Sequence, residues 1–145
     1  MSDLQIAKRH LQKEDFSLVV AKDEKIIFET KLQGIGGFLL AIERFGREKL
    51  AGSSVADKVV GRAAALLCVY CGVKAVYATV LSEGGKEVLK ENGIAFEFDN
   101  LVLRILNHQK TDTCPFEKVV SNISNAEEAY EELKSCMEEM KRSGK

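Results

Sequence analysis

The chain has 145 residues, 46% of them hydrophobic and 30% charged, and 21 Lys and Arg against 22 Asp and Glu leave a net charge of -1. That length suits one domain over residues 1–145, with a body over about 3–120 and a terminal amphipathic helix over about 126–142. The apolar share excludes a disordered chain, and the balanced charge excludes a global basic field and with it nucleic acid as a partner.

Asp3 to Glu14 reads as a helix with Leu4, Ala7 and Leu11 on one face. The β-rich runs Phe16 to Ala21 and Lys25 to Glu29, joined by Lys22-Asp23-Glu24, predict an antiparallel hairpin. Gly34, Gly36 and Gly37 mark a loop, Phe38 to Arg44 is helical, and Gly46 to Ser53 is a connector. Val55 to Cys71 is expected to be one helix, with Ser54 and Asp57 as a capping box. Beyond Val59 it lacks a polar face, which predicts a central, buried helix, and Gly61 within it implies close backbone contact with a neighbour.

Gly72 ends that helix. Val73 to Leu81 is a strand buried on both faces, and Ser82 caps a helix from Glu83 to Asn92 that stops at Gly93. Ile94, Phe96 and Phe98 alternate with Ala95 and Glu97 as in a strand with one wet face, while Leu101 to Leu106 fits a strand or a helical turn. Thr111 to Val120 turns helical around Pro115, and Ala126 to Arg142 is an amphipathic helix striped with Ala129, Tyr130, Leu133, Met137 and Met140. Strand–helix–strand from Val73 to Phe98 implies a parallel pair, so with the hairpin the sheet is mixed and the domain is a three-layer α/β/α one.

The opening Met1-Ser2-Asp3-Leu4-Gln5 lacks a signal-peptide pattern, and the longest apolar run falls short of the roughly 20 residues of a membrane span. A cytoplasmic protein without a membrane partner is the expectation. In that setting Cys68, Cys71, Cys114 and Cys136 are reduced thiols. The Lys- and Glu-rich surface, poor in Gln and Asn, is the composition of many heat-stable proteins.

Three strings carry a resemblance: Ala56-Asp57-Lys58-Val59-Val60-Gly61-Arg62-Ala63-Ala64-Ala65, Val76-Tyr77-Ala78, and Thr113-Cys114-Pro115-Phe116-Glu117. With the order of elements, they make the chain resemble the cytidine deaminase-like fold. Over about Asp3 to Val120 it resembles a small uncharacterised prokaryotic family, a domain of unknown function grouped with that fold. Deaminases hold zinc with a His or Cys two residues before a Glu at one helix start and Pro-Cys-x-x-Cys at the next. Here the corresponding strings are Val55-Ala56-Asp57-Lys58 and Leu81-Ser82-Glu83-Gly84-Gly85, with neither thiol nor imidazole. No metal and no cofactor are expected.

Candidate chemistry gathers in three places. Ser53, Ser54, Asp57 and Lys58 stand at an expected helix start, and Lys58 with Arg62 four residues on would put two cations on one face for a phosphate or carboxylate. Ser82 follows the buried strand, where open α/β sheets bind ligands. Cys114 caps the Pro115 helix, a position that favours thiolate, with His108 as its base, Glu117 as acid or orienting group, and Asn107 nearby. Cys68-x-x-Cys71 lies late in an apolar helix and reads as two small core residues. Gly34-Ile35-Gly36-Gly37 lacks the ending of a phosphate-binding loop.

These readings converge on a zinc-independent, deaminase-like domain binding a small anionic or nucleotide-like ligand. Asp57, Lys58, Cys114 and Glu117 are the candidate catalytic groups, and Ser53, Ser54, Lys58, Ser82 and Asn107 the candidate ligand contacts. If the domain turns over a substrate, hydrolysis or group transfer through Cys114 or Lys58 is the chemistry these groups support. A non-catalytic regulatory module, contacting a partner or a second copy as a homodimer through a sheet edge or the terminal helix, is one alternative. A thiol enzyme centred on Cys114 is the other.

Overall fold

The structure, a computed structural model, describes residues 1–107 and 109–143; His108, the expected base for Cys114, lies outside the described residues. The elements are α1 (Asp3–Glu14), β1 (Leu18–Lys22), β2 (Lys25–Thr30), α2 (Gly36–Leu50), β3 (Ser54–Val60), α3 (Arg62–Cys71), β4 (Ala75–Ser82), α4 (Glu83–Glu91), β5 (Ala95–Val102), α5 (Pro115–Val119) and α6 (Ala126–Arg142). Five strands form one mixed sheet in the order β2-β1-β3-β4-β5. β1 is antiparallel to β2 and to β3, and β3, β4 and β5 run parallel.

Period-two alternation sorts the strand side chains into two cores. Val19, Ala21, Ala56 and Tyr77 meet Ala7 and Leu11 of α1 on one face. Leu18, Val20, Val55, Val76 and Ala78 join α2, α3 and α4 on the other. The domain is therefore a three-layer α/β/α fold. α3 is covered a second time by α6, whose Ala129 and Leu133 are buried in the same core and whose Tyr130 ring stacks on Tyr70 at 4.4 Å. A helix between a sheet and another helix has no wet side, which is why Ala63 to Cys68 are all apolar and buried. Each fully buried Leu in it contributes about 1.5–3 kcal/mol.

One expectation fails. The single helix from Val55 to Cys71 is a central strand followed by a shorter helix, joined at Gly61. The residues Val55, Val59 and Val60 prefer an extended chain, and β3 is flanked on both sides by strands that take up its hydrogen bonds. The Ser54–Asp57 capping box does not exist. Among the described residues the Ser54 hydroxyl has no hydrogen-bond partner, and Asp57 Oδ1 accepts from the Val59 N–H instead. A lesser correction concerns α2. It takes in Gly36 and Gly37, expected in a loop, and runs to Leu50, interrupted at Gly46, whose φ of 74° only glycine adopts without strain. β5 extends to Val102, and Leu106 makes an isolated bridge to Thr113.

Candidate functional site

β3 and β4 are parallel neighbours that end level with one another, Val60 beside Leu81, and each passes directly into a helix. The starts of α3 and α4 consequently lie side by side at the C-terminal rim of the sheet, where open α/β sheets place ligands. Their contact is backbone on backbone. A Cβ on Gly85 would sit 3.0 Å from the Gly61 carbonyl group and from the Val60 oxygen, and one on Gly84 would sit 3.6 Å from Arg62 Cβ. Glycine is required at position 85 by this approach rather than by its φ.

The two helix starts are satisfied differently. α4 is capped locally by Ser82, which is buried and accepts from the Gly85 N–H at 2.9 Å. α3 begins at Gly61 and has no side-chain cap of its own. Its free N–H groups are taken by Glu117, far along the chain on α5. Oε1 accepts from Arg62 N–H and Oε2 from Ala63 N–H, each at 2.8 Å. A Cβ on Gly61 would lie 2.3 Å from Glu117 Oε1 and 2.8 Å from Ile105, so glycine there leaves room for the carboxylate. Burial raises the Glu117 carboxyl above its ordinary pKa, opposed by the Ala63 and Arg62 N–H bonds and the Arg62 charge. Arg62 closes the arrangement: Nε donates to the Val120 carbonyl at 2.9 Å and Nη2 to the Ile123 carbonyl at 2.6 Å. α5 is thereby held over the rim by one carboxylate and one guanidinium.

Asp57 lies on β3 four residues before Gly61, paired in register with Leu18, and is 8% exposed. Burial pushes its carboxyl up to about 7, against the Val59 and Lys58 N–H groups that favour the charged form. The Cys68 thiol is raised well above its ordinary pKa by its own burial, then by Cys71 and Asp57. Burial pushes Cys71 up to about 12. Neither thiol of the Cys-x-x-Cys is activated.

Other candidates are placed elsewhere. Lys58 is on a strand rather than at a helix start, and its ammonium bonds Asp15 Oδ1 at 2.6 Å, lowering the Asp15 pKa. It therefore shares no helix face with Arg62. Ser53 and Ser54 are buried at the start of β3, the opposite end of that strand from the rim, and their hydroxyls have no partner among the described residues. The helix start that meets Ser82 is that of Gly61, not Ser54. Cys114 occupies the N-cap position of α5 without a side-chain cap bond, and its carbonyl accepts from the Glu117 N–H at 3.0 Å. Asn107 braces its own loop through Thr111.

The role of Glu117 as a remote cap was not read from the sequence. A partial signal lay in Gly61: a helix start without Ser, Thr, Asp or Asn leaves its first N–H groups to water or to an acceptor from another segment. Two open clefts, of about 480 and 690 Å³, share Tyr70 at the far end of α3 and lie away from the rim. Among the described residues no three His, Cys, Asp or Glu side chains are grouped to hold a metal ion. The zinc of the deaminase-like resemblance does not fit, since the helix starts offer Gly61, Arg62, Ser82 and Glu83, and Glu117 is engaged with two N–H groups.

These features define an α/β fold with two helix starts meeting at its sheet rim. The profile of a domain of unknown function, DUF1893, matches residues 6–137, and the chain belongs to that family. A DUF1893 family protein from Thermotoga maritima is 30% identical with a TM-score of 0.84, covering 93% of this chain and 90% of that one. A diaminohydroxyphosphoribosylaminopyrimidine deaminase/5-amino-6-(5-phosphoribosylamino)uracil reductase from the same organism is 20% identical at a TM-score of 0.49. The match covers 66% of this chain and 35% of that one. No curated protein matches the chain.

Proposed function

We propose that this domain binds a small anionic or nucleotide-like ligand, without zinc, where the starts of α3 and α4 meet. The carrying observation is the seat of Glu117. A carboxylate held by two N–H groups at 2.8 Å occupies the position that the anionic group of a ligand would take. Ser82 lies on the adjoining helix start, Cys114 is three residues before Glu117 on the covering segment, and Asp57 lies on β3 below the rim. In this reading α5 withdraws Glu117 when ligand enters, and the ligand takes over the Arg62 and Ala63 N–H groups. Lys58, Ser53 and Ser54 take no part in contact.

A cytoplasmic setting accords with four free cysteines, and among the described residues no helix is long and apolar enough to cross a membrane. The regulatory reading is supported by the same geometry. A site filled by the chain's own carboxylate reports ligand by moving α5, and the unpaired sheet edges offer a homodimer contact.

Thermal-shift titration with phosphate, nucleoside monophosphates and dicarboxylates, at matched ionic strength against chloride, tests the proposal. In Glu117→Ala, loss of the cap lowers stability by about 1–3 kcal/mol. One class of anion then restores it to a larger extent than it stabilises the wild type, and Lys58→Ala behaves as wild type. Equal response of Glu117→Ala and wild type to every anion, or abolition of the response by Lys58→Ala, would overturn the reading.

A further inference from the structure

The seat at the start of α3 is shaped by the group that already fills it. Glu117 sets one carboxylate oxygen on each of two adjacent N–H groups, those of Arg62 and Ala63, at 2.8 Å. Beyond these two donors the seat is closed. A Cβ on Gly61 would meet Glu117 Cδ at 2.6 Å and Ile105 Cγ1 at 2.8 Å. The carboxyl group is therefore backed by a bare Cα and an apolar side chain, neither of which can donate. The Arg62 guanidinium does not reach in with its Nε and Nη2, which are committed to the Val120 and Ile123 carbonyls.

Two donors for two oxygens is what a planar carboxylate needs. A phosphate group in the same place would press further charged oxygens against Gly61 and Ile105, and a buried polar atom without a partner is costly. Burial widens the gap. Desolvation rises with the square of the charge, and a phosphate ester carries about 1.5–2 charges at neutral pH where a carboxylate carries one. A second feature points to a ligand rather than to a cap alone. Ser82, on the adjoining helix start and 2% exposed, accepts from the Gly85 N–H, while its own O–H meets no acceptor among the described residues. A buried hydroxyl with an unused proton calls for an acceptor, and Glu117 does not supply it.

We propose that the ligand of this seat is a small carboxylate, not a phosphate ester, which takes over the Arg62 and Ala63 N–H groups from Glu117. This rests on the ligand-binding reading above and narrows it to one class of anion. Glu117 is then the chain's own stand-in for the ligand, matched to it in charge, planarity and number of acceptors.

Amide chemical shifts of Glu117→Ala in the whole chain, titrated at pH 7.5 and constant ionic strength, test the assignment, with acetate and propionate set against phosphate and a nucleoside monophosphate. The Arg62 and Ala63 signals are expected to saturate with the carboxylates at a concentration at least about tenfold lower than with either phosphate probe. Adding Gly61→Ala, whose methyl group fills the place of the carboxylate, is expected to remove the response. Should Glu117→Ala not hold its fold, Glu117→Gln takes its place with the same expectation, because its amide keeps the side-chain length but sets an NH2 against one of the two N–H groups. A phosphate probe saturating at an equal or lower concentration overturns the carboxylate assignment and leaves an anion seat standing. Signals at Arg62 and Ala63 unmoved by every probe, or a response that survives Gly61→Ala, overturn the assignment and the ligand-binding reading together.

Discussion

Asp57 shows how one residue's environment sets its consequence. Its carboxyl is pushed up to about 7 in the folded chain from an ordinary value of 3.8. The folded state therefore binds the proton more tightly than the unfolded state does. Its contribution to stability is full below about pH 4 and is lost as pH rises through 7, a loss on the order of a few kcal/mol at neutral pH. Glu117, also raised by burial, adds a slope of the same sign. Asp57→Asn keeps an oxygen for the Val59 N–H and removes the charge. It is expected to raise the melting temperature at pH 7.5 and to flatten the pH 4–8 stability profile measured by denaturant titration. A profile identical to wild type would show that Asp57 is ionised at no cost. Nothing in the sequence announced this, because an Asp in the string Val55-Ala56-Asp57-Lys58 reads equally as a helix's first-turn acid or a strand's buried one.

The same ambiguity operates at the scale of elements. Val55 to Cys71 is apolar almost throughout, and a continuous apolar run fits a buried strand and a buried helix equally well. What decides between them is β1 and β4 on either side of β3, which local sequence does not contain. Elements punctuated by local chemistry were legible: Ser82 before α4, Pro115 opening α5, and the α6 stripe. Gly61 was half legible, as a point of close approach whose neighbour could not be named. That neighbour makes a prediction about the α3–α5 join. Gly61→Ala drives a methyl group into the Glu117 carboxylate and Ile105, and about 1–3 kcal/mol of destabilisation is expected. In the double-mutant cycle with Glu117→Ala the two effects are expected to fall short of additive by at least about 0.5 kcal/mol, because each removes the same contact. Additive effects would place the cost of Gly61→Ala elsewhere.

For the whole molecule, the sheet order decides which features can act together. Parallel β3 and β4 bring two helix starts to one rim, and α5 crosses from the end of the chain's body to lay Glu117 on one of them. Lys58 is carried by the same strand but paired with Asp15 just beyond α1, so proximity along the sequence misplaced it. Glu117 reaches the start of α3 from 55 residues beyond Arg62 along the chain, and no spacing pattern links it to that helix. α6 then covers α3 on the side away from the sheet.

Ligand binding at the rim requires the Arg62 and Ala63 N–H groups to be an anion seat. Amide chemical shifts of Glu117→Ala during a phosphate titration test this directly. Saturable movement of the Arg62 and Ala63 signals, with little movement of those amides in the wild type, is the predicted result. Signals at Arg62 and Ala63 that stay fixed while phosphate shifts amides elsewhere would contradict it.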